Sequence, residues 1–86
     1  MKIAYNRAFW KKYSKLSQNV QDKFAQRLKI FIKDTRNPVL KVHPLKGTLA
    51  GYRAFSITGD YRAIYKITSL DSIKLIDIGK HGQIYS

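Results

Sequence analysis

Between residues 47 and 67 the chain reads GTLAGYRAFSITGDYRAIYKI, with aromatic and aliphatic residues alternating against polar ones on both sides of Gly59-Asp60. That alternation predicts two β-strands joined by a tight turn. Gly-Asp suits a two-residue hairpin loop, because glycine tolerates the positive φ such turns require. A two-residue loop pairs Ile57 with Arg62, Phe55 with Ile64 and Arg53 with Lys66. Directly paired residues share a side of the sheet. One face is therefore expected to carry Arg53, Phe55, Ile57, Arg62, Ile64 and Lys66. Tyr52, Ala54, Ser56, Tyr61, Ala63, Tyr65 and Ile67 fall on the other, which is apolar enough to pack on helices.

Upstream, the period changes. KIAY at residues 2–5 reads as an edge strand, and Asn6 is placed to cap a helix over residues 7–15. Phe9, Tyr13 and Leu16 form its apolar stripe, with Lys11, Lys12 and Lys15 outside. Ser17 can cap a longer helix reaching about residue 33, with Val20, Phe24, Leu28, Phe31 and Ile32 as its buried stripe. The two helices read as an antiparallel hairpin that needs a sheet to cover. Residues 34–46 read as a linker within the domain, because Asn37-Pro38 stops the helix and His43-Pro44 marks a second extended turn. Beyond the polar turn SLDS at 69–72, IKLIDI at 73–78 predicts an interior strand. The order β-α-α-β-β-β implies an α+β fold of two layers, with helices on one face of the sheet and a mixed basic face left open.

Composition narrows the functional classes. Eighty-six residues suit one domain, residues 1–86. There is no cysteine, and two histidines with five aspartates and no glutamate leave little for a protein-only metal site, so no cofactor is expected. The N-terminus lacks the apolar core of a signal peptide, and no run approaches a membrane span, so a cytoplasmic protein without a membrane partner is expected. The net charge of +12 sets up a field that attracts polyanions. The same like charge argues for a monomer when the chain is alone.

His43 and His81 are the side chains whose type can carry a proton near neutral pH. Arg53 and Arg62 on one face, with Lys80, His81 and Tyr85 beyond the neighbouring strand, would form a positive concavity holding a proton carrier and an aromatic ring. Such a set suits cleavage of RNA without metal. The arginines stabilise the charge that grows on phosphorus, histidine moves a proton and tyrosine stacks on a base.

HPLKG at 43–47, GYR at 51–53, GDYRAIYKI at 59–67 and IGKHGQIY at 78–85 together resemble the RelE/ParE superfamily of bacterial type II toxins, most nearly its RelE and YafQ-like ribonucleases. The resemblance covers nearly the whole chain. It implies a RelE-like fold, cleavage of mRNA in the ribosomal A site and neutralisation by an acidic or amphipathic antitoxin. It also implies roles. Arg62 stabilises the scissile phosphate, His81 is the general acid, and Tyr85 stacks on a base or transfers a proton. His43 matches the histidine of the HPL segment and Asp60 an acidic residue near the hairpin turn. Arg53, Lys46, Lys66 and Lys80 would contact RNA. Relatives carry a further histidine where this chain has Ser56, so His43 and Asp60 both stand as candidates for the general base. Two other readings remain open: a ParE-like inhibitor of DNA gyrase, and a basic module that binds RNA or an acidic partner without turnover.

Overall fold

The computed structural model describes residues 1–84. Strand β1 (Lys2–Tyr5) leads into helices α1 (Arg7–Tyr13) and α2 (Gln18–Lys33). Strands β2 (His43–Pro44), β3 (Arg53–Ser56), β4 (Tyr61–Ser69) and β5 (Ser72–Lys80) follow, and a short helix α3 (His81–Ile84) closes the described chain. The strands form one sheet in the order β1-β5-β4-β3-β2, with β1 parallel to β5 and the other pairs antiparallel.

Local chemistry explains both helices. The Asn6 carboxamide accepts from the Ala8 N–H at 3.0 Å, and the Ser17 hydroxyl accepts from the Val20 N–H at 3.3 Å. Each cap satisfies a donor the helix leaves unpaired, for about 1 kcal/mol. The Gln21 side chain donates to the carbonyls of Tyr13 and Leu16 at 2.9 and 3.3 Å, so the loop between the helices is fastened from within.

Phe9, Val20, Phe24 and Phe31 of the helices meet Phe55, Ile57, Ala63, Tyr65, Ile73, Leu75 and Ile78 of the sheet, with Leu40 closing one end. Ile32, expected in the buried stripe of α2, is exposed. At 100° per residue it lies one step past Phe31, on the side facing away from the sheet. The expected linker contains a two-residue strand, because His43 and Pro44 pair with Ala54 and Arg53 and extend the sheet by one edge.

The largest correction concerns the hairpin. Arg53 lies opposite Tyr65, Ala54 opposite Ile64, Phe55 opposite Ala63 and Ser56 opposite Arg62. The Ile57 N–H donates to the Tyr61 carbonyl at 3.0 Å, so the loop is the three residues 58–60 and not Gly59-Asp60 alone. Gly59 is not among the glycines with positive φ, so the glycine requirement of a two-residue turn does not apply.

One extra loop residue inverts β3 relative to β4. Phe55 and Ile57 therefore lie under the helices with Ala63 and Tyr65, while Ala54 and Ser56 share the opposite face with Arg62 and Ile64. Burying Phe55 and Ile57 contributes about 1.5–3 kcal/mol each. That outweighs the small difference between a two- and a three-residue loop. The opposite face is also not left open: Leu45, Leu49 and Tyr52 of the β2–β3 connection pack over Ala54 and Ile64, which become buried.

Candidate anion-binding groove at the hairpin turn

The 58–60 turn, the start of β4 and the end of β5 meet at one corner of the sheet. Gly59, Asp60, Arg62, Lys80, His81 and Gly82 line a groove there of about 560 Å³. Register makes the corner: Arg62 lies opposite Gly79 and Tyr61 opposite Lys80, so the last residues of β5 are delivered beside the turn. The His81 N–H donates to the Asp60 carbonyl at 2.8 Å, which fixes the start of α3 onto the turn.

Arg62 is held before any ligand arrives. Its Nη1 donates to the carbonyls of Thr58 at 2.7 Å, Tyr61 at 3.0 Å and Gly59 at 3.2 Å. All three bonds run through one nitrogen, so Nε and Nη2 remain available to an oxyanion. A guanidinium fixed this way loses little rotamer freedom on binding, which is how a preorganised donor acts on developing charge. Thr58 organises the same turn. Its hydroxyl accepts from the N–H groups of Asp60 and Tyr61, both at 3.2 Å, and its carbonyl also receives the Ser56 hydroxyl at 3.0 Å.

Sequence reasoning did not single out Thr58, although a hydroxyl residue before Gly-Asp is a recognisable turn signal. Ser56 is buried on the same face as Arg62 and opposite it in the sheet, not under the helices as expected.

The groove thus brings together four of the expected residues: Arg62, Asp60, Lys80 and His81. Its walls include two residues with permanent positive charge, one with a carboxylate and one with an imidazole. Four other expected residues lie elsewhere.

Arg53 is the clearest correction, because the register puts it and Arg62 on opposite faces. It lines a larger cleft of about 590 Å³ on the helix side with Phe31, Tyr65, Ile67 and Leu70. Burial pushes the Tyr65 hydroxyl above its usual pKa, and the neighbouring Arg53 charge pulls it partly back. The two arginines therefore do not form one concavity.

His43 shares its side with Ala54, and hence with Arg62, but sits two strands over and two residues along, about 12 Å away by strand geometry. Its Nδ1 lies 2.9 Å from the Lys41 carbonyl. Lys46 precedes the turn of 3₁₀-helix at Gly47–Leu49 and is exposed on the covering connection. Lys66 is exposed and opposite Lys74, well along β4 from the groove. Tyr85 lies outside the described residues.

Among the described residues no three His, Cys, Asp or Glu side chains gather as metal ligands, and no helix is long and apolar enough to cross a membrane.

Comparison with known proteins gives this corner a context. The whole chain, residues 1–86, matches the family described as bacterial toxin of type II toxin–antitoxin system, YafQ. It is 33% identical over 75 residues to the toxin YoeB of Synechocystis sp., an alignment spanning 83% of this chain and 86% of that protein. The fold is similar to the crystal structure of YafQ from Escherichia coli BL21(DE3), with a TM-score of 0.79 at 26% identity over 99% of this chain and 98% of the other. It is likewise similar to YafQ in the E. coli DinJ–YafQ toxin–antitoxin complex, with a TM-score of 0.76, 27% identity and coverage of 99% and 97%.

Proposed function

The chain belongs to the YafQ family of type II toxins, within the RelE superfamily, and on that premise we propose that it is a ribosome-dependent endoribonuclease that cuts mRNA in the A site. The observation that carries this reading is the groove, whose walls include a tethered arginine together with Lys80, Asp60 and His81. Arg62 and Lys80 hold the scissile phosphate. Asp60 takes the proton of the 2′-hydroxyl, and the freed oxygen attacks phosphorus. Negative charge grows on the non-bridging oxygens, where Arg62 opposes it. The bond from phosphorus to the 5′-oxygen then breaks, His81 gives that oxygen a proton, and a 2′,3′-cyclic phosphate remains. Asp60 is favoured over His43 as the base because it lines the groove and His43 does not.

The test is inducible expression in a bacterium, wild type beside His81→Ala, with mapping of RNA 5′ ends. Growth arrest with new mRNA ends at a codon-fixed position is expected, and His81→Ala should cut about 10²–10⁴-fold more slowly. Arrest with intact mRNA and a DNA-damage response would assign the chain to gyrase inhibition. Absence of arrest would leave a binding module.

The partner of this toxin is a cognate antitoxin, as DinJ is for YafQ in the complex above. The +12 charge favours an acidic contact segment. We place that contact over the groove, covering it or displacing the chain end. Amide exchange at residues 53–66 and 79–86 should slow or change on complex formation, and exchange unaltered in both segments would refute this placement.

A further inference from the structure

Trp10, the single tryptophan of the chain, stands apart from the catalytic proposal. It lies on α1, in the helix layer, on the side of the sheet away from Arg62. Its ring is 4.6 Å from Tyr5 at an interplanar angle of 33°, and meets Tyr13 edge-on at 5.3 Å and Phe9 edge-on at 5.7 Å. Four rings thus support one another, yet Trp10 keeps 48% of its surface in solvent while Phe9 has none exposed. Leaving half of a large apolar ring in water forgoes on the order of 1 kcal/mol of burial.

The surroundings point to the ligand. Residues 1–21 hold five cations, Lys2, Arg7, Lys11, Lys12 and Lys15, and no acidic residue. Lys12 is committed to Asp77 of β5 at 2.9 Å. Arg7 precedes Trp10 by one helical turn and Lys11 adjoins it, and both are exposed. The acid that the structure pairs with this helix, Asp77, is taken up by Lys12, so an exposed indole stands beside Arg7 and Lys11, an arrangement that stacks a base while neighbouring charges hold its phosphates.

We propose that Trp10, with Arg7 and Lys11, forms a second RNA-binding surface that stacks an unpaired base of ribosomal RNA and docks the toxin. The strand being cut lies on the other side of the sheet, at Arg62, so the RNA met by α1 is a different segment. This inference rests on the ribosome-dependent reading above.

The test uses the His81→Ala protein, so that nothing is cut, bound to bacterial ribosomes programmed with an mRNA and an empty A site. Trp10→Ala in that background should bind roughly 5- to 150-fold more weakly, the range of one lost base–aromatic stack, while Trp10→Phe retains most of the affinity. Trp10→Ala should lower the unfolding midpoint by roughly 4–8 °C, the cost of the buried half of the ring, and remain folded at the assay temperature, while Trp10→Phe stays closer to the parent. In the otherwise native chain, Trp10 emission should be quenched by protein-free ribosomal RNA, a readout that needs no substitution at the site.

Equal affinity of the Trp10→Ala and parent proteins, or unquenched emission, would overturn the proposal. So would a Trp10→Ala protein that binds ribosomes normally but loses its hold on an acidic antitoxin, since the surface would then belong to that partner. Failure of the parent protein itself to bind ribosomes would instead strike the ribosome-dependent reading, and the docking surface with it.

Discussion

Arg62→Ala is expected to lose about 10²–10³-fold in mRNA cleavage while remaining folded at growth temperature. Removing one preorganised charge-stabilising donor costs about 2.7–4 kcal/mol in the transition state. The same substitution removes three bonds to the carbonyls of residues 58, 59 and 61. That turn is at the surface, so water replaces the lost donor and the net cost per bond is about 1 kcal/mol or less. A loss of that size lowers the unfolding midpoint by roughly 4–8 °C per kcal/mol in a domain of this length. The catalytic loss therefore exceeds what destabilisation can explain.

Arg62→Lys separates the two contributions. It restores a positive charge and up to three donors on one nitrogen, but an ammonium that bonds the turn carbonyls has no counterpart of Nε and Nη2 to offer an oxyanion, so stability should recover more fully than cleavage. Cleavage in a purified translation system and thermal unfolding, measured side by side, check both. An alanine protein that cuts as fast as wild type would remove Arg62 from the mechanism.

Phe55→Ala should cost about 3–5 kcal/mol of folding stability, read as a shift of the urea midpoint at constant slope. The ring is fully buried. It stacks on Phe31 at 5.2 Å and on Phe24 at 6.2 Å, and lies 6.0 Å from Tyr65. Such a loss is most of the stability of a small domain, which totals about 5–15 kcal/mol.

Much of the architecture was legible because it rests on short-range chemistry. Asn6 and Ser17 announce helix starts through caps that need only the next three residues. The spacing of Phe24 and Phe31 marks the buried side of α2, and IKLIDI is mostly apolar because it lies inside the sheet between β1 and β4, with Ile73, Leu75 and Ile78 in the main core and Ile76 packed on the other face. The short strand β2 was not legible, since two residues containing a proline carry no period of their own.

The candidate site divides in the same way. Asp60 and Arg62 are two residues apart across one turn, and Lys80 and His81 adjoin the end of a recognisable strand. Their meeting follows from the antiparallel pairing of β4 with β5. Arg53 and His43 were expected beside them and are not among the groove's walls. Their placement depends on which way β3 faces and on how far β2 extends the sheet, and neither is encoded locally.

By itself, then, the chain's pattern determined the helices, the longer strands and their order, and the cationic character, while the resemblance pointed to the residues near the turn. Tertiary structure alone decided the parity of β3. Two- and three-residue loops differ little in local energy, whereas placing Phe55 and Ile57 beneath Phe24 and Phe31 gains several kcal/mol of burial. That long-range preference selected the longer loop. It carried Arg53 to the helix side of the sheet and brought Ser56 onto the same face as Arg62.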